Sequence, residues 1–346
     1  MPETILINDF LIKGKKYSIV DTRSPLEFKK GNIPGSINIP IFTDKEREVV
    51  GTLYKKKGKE QATLTGIRFV SEKIDSLTTE LINAAKTNNK ICIYCWRGGM
   101  RSKSIEWLAA KLNIQTVRLE KGYKSYRNFV INYFNKKFDL IIIGGYTGTG
   151  KTELLQKLKK IGKQIIDIEK IANHRGSAFG GVGTKIFPTQ EQFENELVFE
   201  FCKLDETKQI FIEDESKLTG RLVIPENLWK QIRSAKLFFV DLPKEVRLQK
   251  LVKGYGGFSK NELSNSFLKL KKKLGSEKTL SALQFIENDN YYEAADVALK
   301  YYDKLYNKGL QFRDQRFVTK LIFSDLKVTE DEIIKSIKIH VKETES

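Results

Sequence analysis

Two segments of this chain carry residue types whose spacing can do chemistry. In the first, Cys95 is followed by Trp96-Arg97-Gly98-Gly99-Met100-Arg101-Ser102. A thiol at the end of an apolar run, with glycines and then a helical pattern after it, sits where loop N–H groups and a helix N-terminus converge on an anion. With Arg97 and Arg101 close by, that thiol is expected as the thiolate, its nucleophilic form. In the second, Gly145-Tyr-Thr-Gly148-Thr-Gly150-Lys151-Thr152 fits G-x-x-x-x-G-K-[ST], preceded by the apolar run 138–144 and followed by a helical run from Glu153. Gly145, Gly148 and Gly150 let successive amides face phosphate oxygens, Lys151 supplies a point charge, and Thr152 can hold Mg²⁺. The motif recognises a diphosphate, which can be part of a nucleotide or a leaving group.

Other polar clusters fall around the phosphate loop. Ile210-Phe-Ile-Glu213-Asp214-Glu215 is an apolar strand ending in acids, with Asp214 or Glu213 the candidate to position Mg²⁺. The stretch 167–180 holds Asp167, Glu169, His174, Arg175 and several small residues, and reads as a loop lining a site, with His174 and Arg175 as its candidates. Cys92 and Cys95 also match C-x-x-C. A separation of three on a strand sends the two side chains to opposite faces, and zinc would need Cys202, His174 or His340 as further ligands. No metal site is therefore expected there, and Cys92 reads as a small buried hydrophobe.

The elements that position these loops fall into two series. Up to about 136, strands are expected at 17–21, 91–95 and 116–120, with helices at 25–30, 101–112 and 124–134 and a lysine- and glycine-rich exposed excursion at 45–65. From 137 to 346 a second α/β series has strands at 138–144, 164–167, 209–213 and 236–241, becomes mostly helical beyond Ser259, and ends with a strand at 317–323. Two domains also suit 346 residues, since one core stops growing below that size.

Lysine and arginine number 61 against 43 aspartate and glutamate, for a net charge of +18. That excess favours a polyanionic partner such as nucleic acid. No apolar run could span a bilayer and no export signal is evident. Three cysteines are too few for a disulfide framework, so a cytoplasmic setting and no membrane partner are expected.

Upstream of Cys95 lie Asp21-Thr22-Arg23 and Gly31-Asn32-Ile33-Pro34-Gly35-Ser36-Ile37-Asn38-Ile39-Pro40. With the cysteine loop, these resemble the rhodanese fold, with Asn32 in place of that fold's usual histidine. Cys95 to Arg101 also has the C-x5-R spacing of cysteine phosphatases, and the loop alone does not choose between sulfur or selenium carriage and phosphate-ester hydrolysis.

The pairing of C-W-R-G-G-M-R-S with the P-loop, D-I-E-x-x-A-x-H-R-G-S-x-F-G, Q-x-x-F-E-N (190–195), I-E-D-E-S and Y-Y-D-x-x-Y (301–306) resembles the tRNA 2-selenouridine synthase family. The resemblance implies a rhodanese-like domain followed by a P-loop NTPase-like parallel-sheet domain with helical C-terminal additions. It implies conversion of wobble 2-thiouridine in tRNA to 2-selenouridine: the sulfur first takes a geranyl group from geranyl diphosphate, then selenium from selenophosphate displaces the geranylthio group. On that likeness Cys95 handles selenium, Arg97, Gly98, Gly99 and Arg101 cradle selenophosphate, and the P-loop binds diphosphate. His174 and Arg175 orient the base or the leaving group, and Tyr146, Phe179 or a tyrosine of 301–306 packs or stacks. No tightly bound cofactor is implied, and a selenophosphate-producing enzyme is a candidate partner. The alternatives are a P-loop kinase or NTPase with a rhodanese binding module, and a cysteine phosphatase or sulfurtransferase.

Overall fold

The computed structural model describes residues 3–86, 88–174, 187–255 and 258–342. The chain divides into two compact units, Met1–Tyr133 with Glu194–Phe199, and Phe134–Phe193 with Glu200–Ser346. The boundary read from sequence at 136/137 lies just past the 3-10 turn Tyr133–Asn135, and nothing in the sequence placed 194–199 with the first unit.

The first unit is built on a parallel sheet of β1 (Glu3–Ile5), β2 (Ser18–Asp21), β3 (Ile37–Asn38), β4 (Lys90–Tyr94) and β5 (Gln115–Leu119), in the order β1-β5-β4-β2-β3. β4 is central, and its Ile91-Cys-Ile-Tyr94 is buried throughout, as expected of a strand covered on both faces. Leu77, Leu81, Ile91, Ile93, Ile105 and Leu108 form the core on one side. The helix Pro25–Lys30 begins at a Ser24/Glu27 capping box with proline in its first turn. The helices Met100–Lys111 and Gly122–Asn132 follow β4 and β5. The expected excursion at 45–65 is instead a 28-residue helix, Asp44–Ser71, bent at Gly58.

The second unit carries β6 (Leu140–Gly145), β7 (Gln164–Ile166), β8 (Ile210–Glu213), a two-stranded hairpin of β9 (Leu218–Thr219) and β10 (Leu222–Val223), β11 (Lys236–Asp241) and β12 (Val318–Ile322). The main sheet runs β12-β11-β6-β8-β7, all parallel. β6 is fully buried between β11 and β8, so its C-terminal end lies where neighbouring strands diverge, the usual ligand position in such sheets. The helices Lys260–Leu274, Ser276–Glu287 and Tyr291–Gln311 share a core of Leu263, Phe267, Leu270, Ile286 and Leu299, which Leu248 of the helix Lys244–Tyr255 joins. Among the described residues no helix is long and apolar enough to cross a membrane.

Candidate active site

Cys95 follows β4 and is 3% exposed. Its Sγ lies 3.3 Å from Ser102 Oγ, and that hydroxyl is placed to donate to the Gly99 carbonyl at 3.1 Å. The start of the helix Gly122–Asn132 ties the loop from the other side. Tyr123 N–H donates to the Cys95 carbonyl at 2.8 Å, Lys124 N–H to that of Trp96 at 3.0 Å, and the Arg118 guanidinium to that of Gly98 at 2.8 Å. The loop's carbonyls are thus occupied, while the N–H groups of Arg97, Gly98 and Gly99 make no hydrogen bond among the described residues, which leaves them for an anion. The approach is so close that a Cβ on Gly122, at φ +57°, would stand 2.2 Å from the Cys95 oxygen.

The upstream motifs brace this loop. Arg23 and Asp21 form a buried pair, with Nη2 2.6 Å from Oδ2 and Nε 3.0 Å from both carboxylate oxygens. The guanidinium stands 3.7 Å from the Tyr123 ring centroid and also donates to the Gly31 carbonyl at 2.7 Å. Asn38 Nδ2 donates to the carbonyls of Asp21 and Arg23, and Ile33 N–H donates to the Tyr94 hydroxyl at 3.1 Å. Asn32, in the histidine position, donates to the Phe28 carbonyl and accepts at its own carbonyl from Asn195 Nδ2, which also reaches the Tyr123 hydroxyl. Of the two loop arginines, Arg101 is committed to Glu27 at 2.5 Å, whereas Arg97 is exposed. Burial pushes the Cys92 thiol up to about 12, which fits an inert core residue.

In the second unit the P-loop leaves β6. Lys151 begins a helix, Lys151–Lys160, and its Nζ lies 3.2 Å from both the Gly145 carbonyl and the Tyr306 hydroxyl, 5.0 Å from that ring's centroid. Burial works against its charge, but Tyr306 and Glu215 more than offset this, so the ammonium is held. A Cβ on Gly148, at φ +84°, would meet the Arg247 carbonyl oxygen at 2.6 Å, so only glycine fits against the helix Lys244–Tyr255. Asp303 fixes Arg247 through two bonds of 2.9 and 3.0 Å. The Y-Y-D-x-x-Y segment therefore serves the P-loop directly, through Asp303 and Tyr306. Tyr146 is packed, edge-on to Phe239 and under Arg247, with its hydroxyl donating to Asn307 at 2.7 Å.

Beside the P-loop, carboxylate oxygens of Glu169, Glu213 and Glu215 lie within 4.8 Å of one another. The Thr152 hydroxyl is 3.2 Å from both Glu169 Oε2 and Glu213 Oε2, one proton facing two acceptors. Burial, and then Glu169, push Glu215 up to about 8. Glu213 is raised well above the usual carboxylate range by burial and by the charges of Glu169 and Glu215, and Glu169 is raised chiefly by burial. Glu213 is 0% exposed, and its Oε1 has no hydrogen-bond partner among the described residues. Three hard oxygen donors with one orphaned oxygen fit a divalent cation.

β8 ends at Glu213, and the chain turns there, with Glu215 N–H donating to the Glu213 carbonyl at 3.0 Å; this leaves Glu213 and Glu215 in the same cluster. Asp214, the other acid expected to position Mg²⁺, borders the cavity and is engaged by Arg313 at 2.6 Å and Arg233 at 3.5 Å. His174 is not among the cavity's lining residues. Its ring packs on Gly220 and Phe187, and burial and then Lys269 lower its pKa. Arg175 and Phe179 lie outside the described residues.

The P-loop opens on a cavity of about 710 Å³. Lys151, Thr152, Glu169, Glu215 and Lys250 line it beside the P-loop, Asp214, Lys217 and Arg233 also border it, and its apolar walls include Trp229, Leu251, Phe258, Leu305 and Phe312. A Cβ on Gly150 would lie 2.9 Å from Lys250 Nζ, so a second ammonium reaches the phosphate loop. Sequence reasoning did not single out Lys250, Glu169 or Glu215 as site residues. The two glutamates carried a signal in their motifs, while Lys250 had none.

Residues 138–331 match the tRNA 2-selenouridine synthase AAA domain, and residues 9–129 match the rhodanese-like domain. The chain belongs to the tRNA 2-selenouridine synthase family. The family's AAA segment contains the P-loop, the carboxylate cluster and Tyr306, and the rhodanese-like segment contains the Cys95 loop. The tRNA 2-selenouridine synthase of Psychromonas ingrahamii is 32% identical over 90% of this chain and 93% of its own, and that of Shewanella woodyi 32% over 88% and 91%. That of Nitrosomonas eutropha is 36% identical over 68% of this chain, a match spanning 62% of the relative's length. A solved N-terminal domain of an ATP/GTP binding protein from Clostridium difficile 630 is 41% identical over 37% of this chain and 98% of its own, with a TM-score of 0.35, which adds nothing to the fold already described.

Proposed function

We propose that this chain is a cytoplasmic transferase that replaces the sulfur of wobble 2-thiouridine in tRNA by selenium through an S-geranyl intermediate. The observation that carries this reading is the continuity of the P-loop with an apolar cavity. A diphosphate ester of a hydrocarbon has that shape and polarity, charged at one end and greasy at the other. The P-loop amides, Lys151 and Lys250 hold the diphosphate of geranyl diphosphate, and the ten-carbon chain lies against Trp229, Leu251, Phe258 and Leu305. As the thiocarbonyl sulfur bonds to C1, the C1–O electron pair passes to the diphosphate, where Lys151 stabilises the growing charge, and the base releases its N3 proton to solvent. Mg²⁺ held by Glu169, Glu213, Glu215 and Thr152 would add to that neutralisation.

In the second step the free amides of Arg97, Gly98 and Gly99, with the Arg97 side chain, hold selenophosphate beside Cys95. Cys95 Sγ adds to C2 of the geranylated base and the geranylthio group leaves as the thiol; the selenium of selenophosphate then displaces Cys95 from C2, its phosphoryl group passing to water as phosphate and Cys95 leaving as the free thiol again. Arg101, paired with Glu27, fixes the loop rather than the ligand. This favours selenium handling over phosphatase chemistry, in which the C-x5-R arginine must be free to meet the phosphate.

Competition binding tests the first half. Geranyl thiolodiphosphate should quench Trp229 fluorescence and displace inorganic pyrophosphate, whereas ATP should compete only through its phosphates. Tighter binding of ATP than of the geranyl analogue, or steady ATP turnover without tRNA, would support an NTPase instead.

A further inference from the structure

The helix Asp44–Ser71 contributes little to the core, since its buried residues are Ala62 and Gly66. Its two ends are anchored, by Val50 at one and Phe69 and Val70 at the other, which pack against the first unit's core. Between them Tyr54-Lys55-Lys56-Lys57-Gly58-Lys59-Glu60-Gln61 is exposed at every position, Tyr54 to 58%. Gly58 takes φ 87° and ψ −179°, a conformation that disfavours any side chain, so one helical segment ends after Lys57 and another starts at Lys59. Helix termini account for Lys55, Lys56 and Lys57, which complement a C-terminal dipole, but not for Lys59, which stands at an N-terminus where a cation is disfavoured. Four like charges within five residues also repel one another. None of the four makes an ion pair among the described residues, and Asp44 and Glu46 are occupied elsewhere, with Leu26 N–H and with Lys73.

We propose that this elbow is the docking surface for the phosphodiester backbone of the RNA substrate, with Lys55, Lys56, Lys57 and Lys59 meeting phosphates and Tyr54 offering its ring to a sugar or base. The inference rests on the reading that tRNA is the substrate. It assigns part of the net charge of +18 to a particular place. Lysines directly beside an exposed aromatic suit a nucleic acid strand, which offers a phosphate and a stackable base at every nucleotide.

The test is equilibrium binding of thiolated tRNA to the full chain and to the K55A/K56A/K57A/K59A variant, from about 50 to about 200 mM salt. Alanine is the best helix former, so the helix should survive, as circular dichroism would verify. Each lost phosphate contact removes roughly 0.7–0.9 from the log–log salt slope, hence about 3 for four contacts. Over a fourfold rise in salt the wild type should then lose about 60-fold more affinity than the variant. A K271A/K272A/K273A variant, which removes exposed charge elsewhere, should keep a slope close to the wild type's. Equal flattening in both variants reduces the effect to net charge and overturns the proposal, as does an unchanged slope in the elbow variant. Polyglutamate that binds the wild type as tightly as tRNA, and loses as much in the elbow variant, would assign the surface to an acidic protein instead. A wild type that binds no tRNA at low salt overturns the RNA reading itself, and the elbow with it.

Discussion

Replacing Glu213 with glutamine should stabilise the metal-free protein while removing its response to metal. Glu213 is fully buried with an oxygen unpaired among the described residues, and burial, Glu169 and Glu215 all disfavour its charge. Its neighbour Glu215 is moved from 4.5 to about 8 by burial and then by Glu169. At about 1.4 kcal/mol per pH unit, ionising Glu215 costs the folded state on the order of 5 kcal/mol relative to the unfolded chain, and a charged Glu213 beside it adds to that cost. Between about pH 4.5 and 8 the folded protein keeps a proton that the unfolded chain has released, so stability falls as pH rises through that window and is lowest above it. Glutamine mimics a permanently protonated Glu213, can still accept from Thr152, and relieves Glu169 and Glu215. Calorimetry at about pH 8 in EDTA should therefore show Glu213→Gln melting above the wild type, by roughly 2–4 °C for each kcal/mol relieved, with a shallower dependence on pH. Millimolar Mg²⁺ should raise the melting temperature of the wild type and not of the variant. A variant that melts lower than the wild type in EDTA, or responds to Mg²⁺ equally, would refute the carboxylate-cluster reasoning.

Two further substitutions probe other parts of the molecule. Trp229→Ala removes aromatic surface from the cavity wall and should raise KM for geranyl diphosphate about 10- to 100-fold, the value of burying one large apolar side chain, while inorganic pyrophosphate binds as before. Asp21→Ala strands the buried Arg23 guanidinium and should cost about 3–5 kcal/mol in urea unfolding, with Asp21→Leu combined with Arg23→Leu recovering part of the loss.

Much of this architecture was legible in the sequence because short apolar runs and turn residues announce parallel strands. β2, β4, β5, β6, β7, β8, β11 and β12 fall within a residue or two of their expected positions. β1 escaped notice because three half-exposed residues at a sheet edge carry no pattern, and Asp44–Ser71 because a helix with almost no buried face shows no apolar periodicity. The site divides in the same way. The Cys95 loop and the P-loop are local in sequence, so their residues could be named in advance. What holds them is not local: Glu27 reaches Arg101 across 74 positions and Tyr306 reaches Lys151 across 155. The clustering of Glu213 and Glu215 with Glu169 needed the path of the chain beyond the end of β8, and the apolar cavity needed walls from helices far apart in the chain.

The central claim is that the P-loop serves geranyl transfer and Cys95 serves selenium exchange, and nucleoside mass spectrometry on two variants tests it most directly. Lys151→Ala and Cys95→Ser would each be given selenophosphate and either 2-thiouridine tRNA with geranyl diphosphate or tRNA already geranylated. Lys151→Ala should leave 2-thiouridine unchanged, because losing a charge that stabilises a leaving group in such a site costs about 3–4 kcal/mol of barrier, yet it should convert the geranylated tRNA. Cys95→Ser should accumulate the S-geranyl nucleoside from either substrate. Selenouridine formed by Cys95→Ser at the wild-type rate, or normal geranylation by Lys151→Ala, would contradict it.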